Sequence, residues 1–180
     1  MMKSIIIFQS VHKGNTKKIA EAIAGELEAK LVKSDEVEVK DLTNYDLIGL
    51  GSGIYFGKHH QAILDLAGKI PAVPGQKVFL FSTAGLPQLK AVWHRALRNI
   101  LKKKGFKIVG EFSCKGYDEV SFLKIIGGIN KARPNKNDIA KAKQFAGSLL
   151  TVLAAKHIPP PPSPEAPPAT KSTTKIITKK

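Results

Sequence analysis

Cys114 is the only cysteine among the 180 residues, so no disulfide can close within the chain and no cysteine-built zinc site exists. Acidic residues are also few: 14 Asp and Glu stand against 29 Lys and Arg, for a formal charge of +15 with histidine neutral. Long apolar runs are missing. The run Ile5-Ile6-Ile7-Phe8 is far shorter than the ~20 residues needed to span a bilayer and too short for a secretory signal core. The chain is therefore expected to be soluble and cytoplasmic, with no membrane span. Several chemical signatures are absent too. Neither the Walker phosphate loop nor the GxGxxG dinucleotide fingerprint occurs, and no GxSxG elbow offers a hydrolytic serine. No helix-turn-helix, ribonucleoprotein or zinc-finger pattern accompanies the basic charge, which excludes sequence-specific nucleic-acid reading. His59-His60 has no carboxylate cluster beside it, so no metal site is expected.

An apolar fraction of 43% is enough for a packed core. Composition breaks near residue 157. Seven of the eleven prolines fall in 158–180, a stretch that favours extended polyproline II and ends rich in Ser, Thr and Lys. Residues 158–180 are expected to form a disordered, basic tail behind a single domain at 1–157. Four lysines less Glu165 give the tail +3, leaving +12 on the domain. Most of the basicity belongs to the folded part.

Within 1–157, strand-like and helix-like periods alternate. Strands are expected at 4–8, 29–33, 46–51, 77–82 and 106–113, with helices at 15–28, 61–70, 89–104 and 138–156. The helix at 15–28 sets Ile19, Ala20, Ile23, Ala24 and Leu27 on one face and Lys17, Lys18, Glu21 and Glu28 outside it. Such alternation implies right-handed βαβ crossovers and a mostly parallel sheet. On that helical spacing His94 and Arg95 are expected at the surface.

In sheets of this kind ligands sit beyond the carboxyl ends of the strands, where strand order reverses. The first such loop, Ser10-Val11-His12-Lys13-Gly14-Asn15-Thr16, runs directly into a helix. It reads as an anion cradle. Backbone N–H groups converge at the helix start, Gly14 permits close approach, and Ser10, Asn15 and Thr16 add side-chain donors. Lys13 adds a positive charge that suits a phosphate dianion.

The strand, the Gly14-Asn15-Thr16 turn and the helix that follows resemble the flavodoxin family over residues 3–156. This resemblance implies an α/β three-layer sandwich around a five-stranded parallel sheet of order 2-1-3-4-5. It also implies a bound flavin mononucleotide (FMN) whose phosphate lies in the loop Ser10, His12, Lys13, Gly14, Asn15 and Thr16. The loop after the third strand, Ser52, Gly53, Ile54, Tyr55, Phe56 and Gly57, would then cover the flavin ring. Two aromatics bracketed by glycines suit a flat ring stacking on one of them while the other tucks into the core. Ser82, Thr83, Ala84 and Gly85 would bring backbone N–H groups to the pyrimidine oxygens of the flavin. Lys58 stands where the family often has an acidic residue, and its charge should raise the reduction potential. No catalytic residue is required, because the flavin carries the chemistry. The expected role is electron transfer between soluble redox proteins, the basic surface docking partners with acidic surfaces. The loop at 54–60 also resembles that of flavodoxin-type protoporphyrinogen oxidase, which makes an FMN-dependent oxidoreductase the alternative. Cys114, closing the fifth strand, is expected to be a small core residue.

Overall fold

A computed structural model describes residues 2–11, 14–116 and 133–155. The expected tail at 158–180, His12, Lys13 and most of the segment 115–135 lie outside the described residues. Five parallel strands form the sheet: β1 (Ser4–Gln9), β2 (Lys30–Lys33), β3 (Leu47–Tyr55), β5 (Lys77–Ala84) and β6 (Lys107–Lys115). Their spatial order is β2-β1-β3-β5-β6, with β4 (Lys58–His59) pairing antiparallel to the end of β3. Counting parallel strands alone, this is the expected order 2-1-3-4-5. Helices α1 (Asn15–Leu27) and α5 (Lys136–Ala155) cover one face. The other face is covered by α2 (Gln61–Lys69) and α4 (Arg95–Lys103), with the one-turn α3 (Lys90–Trp93) just before α4.

Strand alternation builds both layers of the core. Ile6 and Phe8 point to the α1/α5 side, where Ile19, Ile23, Ala142, Ala146 and Leu149 meet them. Ile5 and Ile7 point the other way, to Ile63, Leu66, Leu97 and Leu101. Burial on both faces explains why these strands read as continuous apolar runs. Gly49 and Gly51 lie in register with Phe79 and Phe81, and a Cβ on either glycine would come within 2.3 Å of a phenylalanine ring. The glycines of Gly49-Leu50-Gly51 thus leave room for aromatic rings on the neighbouring strand.

Three expectations need correction. Strand β3 does not end at 51; it continues through Ser52, Gly53, Ile54 and Tyr55, because β4 and β5 supply ladder partners on both sides. Strand β5 likewise takes in Thr83 and Ala84, which pair with Cys114 and Lys115. The helix expected at 89–104 breaks at His94, which caps both α3 and α4 and is fully buried instead of facing solvent. A buried hydrogen-bonding network, described next, holds it there.

Candidate functional site

The carboxyl ends of β1, β3, β5 and β6 converge on the turn that opens α1. Gly14 caps that helix at φ 68, a left-handed conformation natural to glycine, and its missing Cβ would point into open space. Gly14 has no side chain with which to cap the helix, and the first turn of α1 carries no acidic residue but has Lys17 and Lys18. Cations at a helix N-terminus oppose the helix dipole, so this end favours an anion. Thr16 Oγ1 lies 2.9 Å from Thr83 Oγ1, tying the start of α1 to the end of β5. Gly116 closes the same corner: its N–H donates to Ala84 O at 3.0 Å, and a Cβ there would sit 3.0 Å from Thr83 Cβ and 3.5 Å from Asn15 Nδ2. The Ser10 hydroxyl is buried without a hydrogen-bond partner among the described residues. Such a group costs about 1–3 kcal/mol unless something outside the described residues satisfies it.

Beyond β3, Tyr55-Phe56-Gly57-Lys58 forms a two-residue hairpin, with φ 49 at Phe56 and φ 76 at Gly57. Positive φ at both central positions marks the turn class that suits the strand twist, and it strongly favours Asn-Gly. Here a phenylalanine takes the strained position, and it is 99% exposed. Neither aromatic is tucked into the core. Tyr55 is half-buried, its ring lying over Gly53 and edge-on to His60 at 5.5 Å. The Gly57 side of the hairpin approaches the Trp93 ring, whose Nε1 donates to Leu86 O at 2.8 Å.

Beneath these loops lies a polar layer. Ser52, Ser82 and Ser113 are consecutive partners across β3, β5 and β6. The Ser52 hydroxyl donates to Gly53 O at 2.8 Å and accepts the His60 N–H at 2.9 Å. Its proton being used, His59 Nδ1–H, 3.0 Å away, is the donor to it. His59 Nε2 is then a bare, buried acceptor without a partner among the described residues. Ser82 Oγ lies 2.8 Å from His94 Nε2 and 2.9 Å from Ser113 Oγ. His94 Nδ1–H donates to Glu111 Oε2 at 3.0 Å, and Arg98 grips both oxygens of Glu111 at 2.7 and 2.8 Å.

Burial, and then the charge of His94, hold the His59 imidazole well below its ordinary pKa. Burial also lowers His94, against the hydrogen bond and charge of Glu111, which act to raise it. For Glu111, burial acts upward, but the bonds from His94 and Arg98 overcome it and leave the carboxyl at about 2. Burial together with the charge of Asp138 pushes the Cys114 thiol up to about 12, as suits a core residue in place of a reactive one.

The arrangement thus brings Ser10, Gly14, Asn15 and Thr16 together with Thr83, Ala84 and Gly85 around one corner. Gly53, Ile54, Tyr55, Phe56 and Gly57 form an adjoining hairpin wall. Ser52 and Ser82 belong to this region, but their hydroxyls turn inward to the histidines. Sequence reasoning missed His59, His94, Glu111 and Gly116. The His59-His60 pair after the third strand was a signal for the first, whereas His94 read as a helix-surface residue; the partners of both come from distant elements.

A family model described as a flavodoxin domain matches residues 5–124. The chain belongs to the flavodoxin domain family. An uncharacterized protein of Methanocaldococcus jannaschii is 52% identical over 149 residues, which span 83% of this chain and 99% of that protein. Among solved structures, oxidised flavodoxin 2 of Bacillus cereus matches with a TM-score of 0.62 at 21% identity, over 83% of this chain and 99% of that one. A mutant flavodoxin of Fusobacterium nucleatum bound to flavin mononucleotide matches with a TM-score of 0.57 at 21% identity, over 87% and 98%. The family and fold implied by the Gly14-Asn15-Thr16 turn are thereby confirmed. For this flavodoxin domain, no helix among the described residues is long and apolar enough to cross a membrane.

Proposed function

We propose that this flavodoxin-domain protein binds FMN through residues of 1–157 and carries electrons between soluble redox proteins of the cytoplasm, with 158–180 as an appended tail. The observation that carries the reading is the buried Ser10 hydroxyl, without a partner among the described residues, close in sequence to the left-handed Gly14 cap of α1. A phosphate oxygen is the acceptor such a corner fits, and a hydrogen bond to a charged oxygen is worth about 1.5–3 kcal/mol. Asn15, Thr16 and Thr83 would complete the cradle, joined by His12 and Lys13, which lie outside the described residues. The hairpin Gly53 to Gly57 and the strand end Thr83 to Gly85 would flank the ring. Once bound, FMN supplies the redox chemistry, and the chain positions it and sets its exposure. Acidic docking surfaces on the partners follow from the +15 charge.

Titration of purified protein with FMN, read by quenching of flavin fluorescence, tests this. Ser10→Ala is expected to weaken FMN binding by roughly 10- to 100-fold, in line with one lost charged hydrogen bond, while leaving the FMN-free protein as stable or slightly more so. Protein that takes up no FMN overturns the reading.

A further inference from the structure

Exposed large apolar side chains are not spread evenly over this protein. Among the described residues there are seven, and two of them lie on α5. The other five are Val11, Phe56, Leu86, Leu89 and Val92, exposed by 50%, 99%, 51%, 39% and 56%. Val11 follows β1, Phe56 tips the hairpin after β3, and the last three follow β5. All five therefore stand at the carboxyl-end edge of the sheet. The hairpin and the segment after β5 are continuous there, since Gly57 approaches the Trp93 ring and Trp93 bonds Leu86 O.

Within the hairpin and the segment after β5, the charged side chains among the described residues are all basic. The stretches 9–20, 47–64 and 82–110 contain no Asp or Glu. Lys58, Arg95 and Lys115 are exposed around the apolar side chains. An apolar centre inside a polar rim is the usual anatomy of a protein–protein contact. A second copy of the chain would bring like charge against like charge, so the complement is another protein. Nucleic acid fits less well, because exposed Leu and Val gain nothing from a phosphate backbone.

We infer that this edge is the docking surface for an acidic redox protein, with Leu86, Leu89 and Val92 as its apolar centre and Lys58, Arg95 and Lys115 as its rim. The redox nature of the partner rests on the FMN reading above; the contact itself does not need the cofactor. The two parts of the surface have separate duties. The rim raises the encounter rate, and the apolar centre sets how long the complex lasts.

An acidic plant-type iron–sulfur ferredoxin serves as the probe. Amide NMR titration of the protein with oxidised ferredoxin reads the contact with or without FMN. Stopped-flow transfer from the reduced ferredoxin to the FMN-loaded protein reads its function, with reduced methyl viologen as a small cationic donor for comparison. Expected are shifts confined to 56–58, 86–95 and 115, and a transfer rate that falls as salt rises. Arg95→Glu with Lys115→Glu should slow transfer at low salt about tenfold and flatten the salt dependence. Leu89→Ser with Val92→Ser should weaken binding about tenfold with the salt dependence kept. The apolar variant should leave the viologen rate unchanged, and the charge reversal should not slow it, since the added carboxylates attract a cationic donor. Scattered shifts, or variants that slow both donors equally, overturn the inference. So does a charge reversal that abolishes binding to duplex DNA without altering ferredoxin binding, or a dimer that the Leu89→Ser, Val92→Ser variant dissolves. Failure to bind FMN with the NMR contact intact would instead count against the carrier reading alone.

Discussion

The imidazoles of His59 and His94 lie with ring centroids 4.7 Å apart and planes tilted by 43°, and both are buried. They come from β4 and from the break between α3 and α4, and each meets one serine of the in-register pair Ser52 and Ser82. The pair therefore joins the hairpin wall of the site to the centre of the sheet. Both rings are held below their ordinary pKa, burial being the main cause, so both stay neutral in the fold at pH values where the unfolded chain already binds protons.

Acid should for that reason unfold this protein in two stages. A depressed histidine pKa gives stability that is complete above the unfolded value of about 6.5 and lost as pH falls toward the folded value. Each such histidine contributes a slope of about 1.4 kcal/mol per pH unit in that window. Glu111, held at about 2, adds a later loss as pH falls from 4.5, its ordinary value. Urea midpoints measured from pH 8 to pH 3 should fall first below about 6.5, and His59→Gln should flatten that first stage. Midpoints that stay level down to pH 5 would contradict buried neutral imidazoles.

A second expectation concerns the glycines of β3. A Cβ on Gly51 would lie 2.3 Å from Phe81 Cζ, and the ring belongs to a fully buried side chain with little room to move. Gly51→Ala should destabilise the fold by about 1–3 kcal/mol, the usual cost of overpacking. Gly25→Ala is the control, since nothing lies within 4 Å of the added carbon and the residue is inside α1. It should be neutral or stabilising by up to ~1 kcal/mol. Equal denaturation midpoints for the two variants would contradict the packing.

The succession of strands and helices was legible because the central strands read as continuous apolar runs and each helix carries a period of about 3.6, while the sheet order came with the likeness of the Gly14 turn to the flavodoxin family. The Gly14 turn was legible for a related reason, since loop, glycine and helix are contiguous. The hairpin end of β3 was not. Its ladder depends on Lys58-His59 folding back, and the glycines of 51–57 read as loop. His94 was hidden by the helical spacing of 89–104. Its inward turn rests on Ser82 and Glu111, which come from β5 and β6, with Arg98 one turn along α4 holding Glu111. Polar networks between distant elements leave no local period to read.

Lys58 tests how the surface charge would act on the proposed flavin. It is exposed, with its ammonium 3.3 Å from Gln61 Oε1, so water screens most of its field. Lys58→Glu should lower the reduction potential of the FMN-loaded protein by about 20–60 mV, the equivalent of roughly 0.5–1.5 kcal/mol for one electron. Spectroelectrochemical titration at low salt measures the shift, and high salt should shrink it. An unchanged potential would confine the role of Lys58 to docking.

Phe56 sets stability against function in one residue. A side chain at φ 49 in a two-residue hairpin pays about 1 kcal/mol relative to Asn or Gly, and at 99% exposure the ring recovers nothing from packing. A strained, exposed aromatic is retained where a ligand or partner uses it. Phe56→Asn should therefore raise the stability of the FMN-free protein by about 0.5–1 kcal/mol, read as a higher urea midpoint with an unchanged slope. The same variant should bind FMN several-fold more weakly, having lost a stacking surface worth about 0.5–1.5 kcal/mol. Gly57→Ala is the opposite case, because φ 76 at that position penalises any Cβ, and it should lower the midpoint. If Phe56→Asn left FMN affinity intact while weakening the ferredoxin contact, the ring would belong to the docking surface and not to the flavin wall.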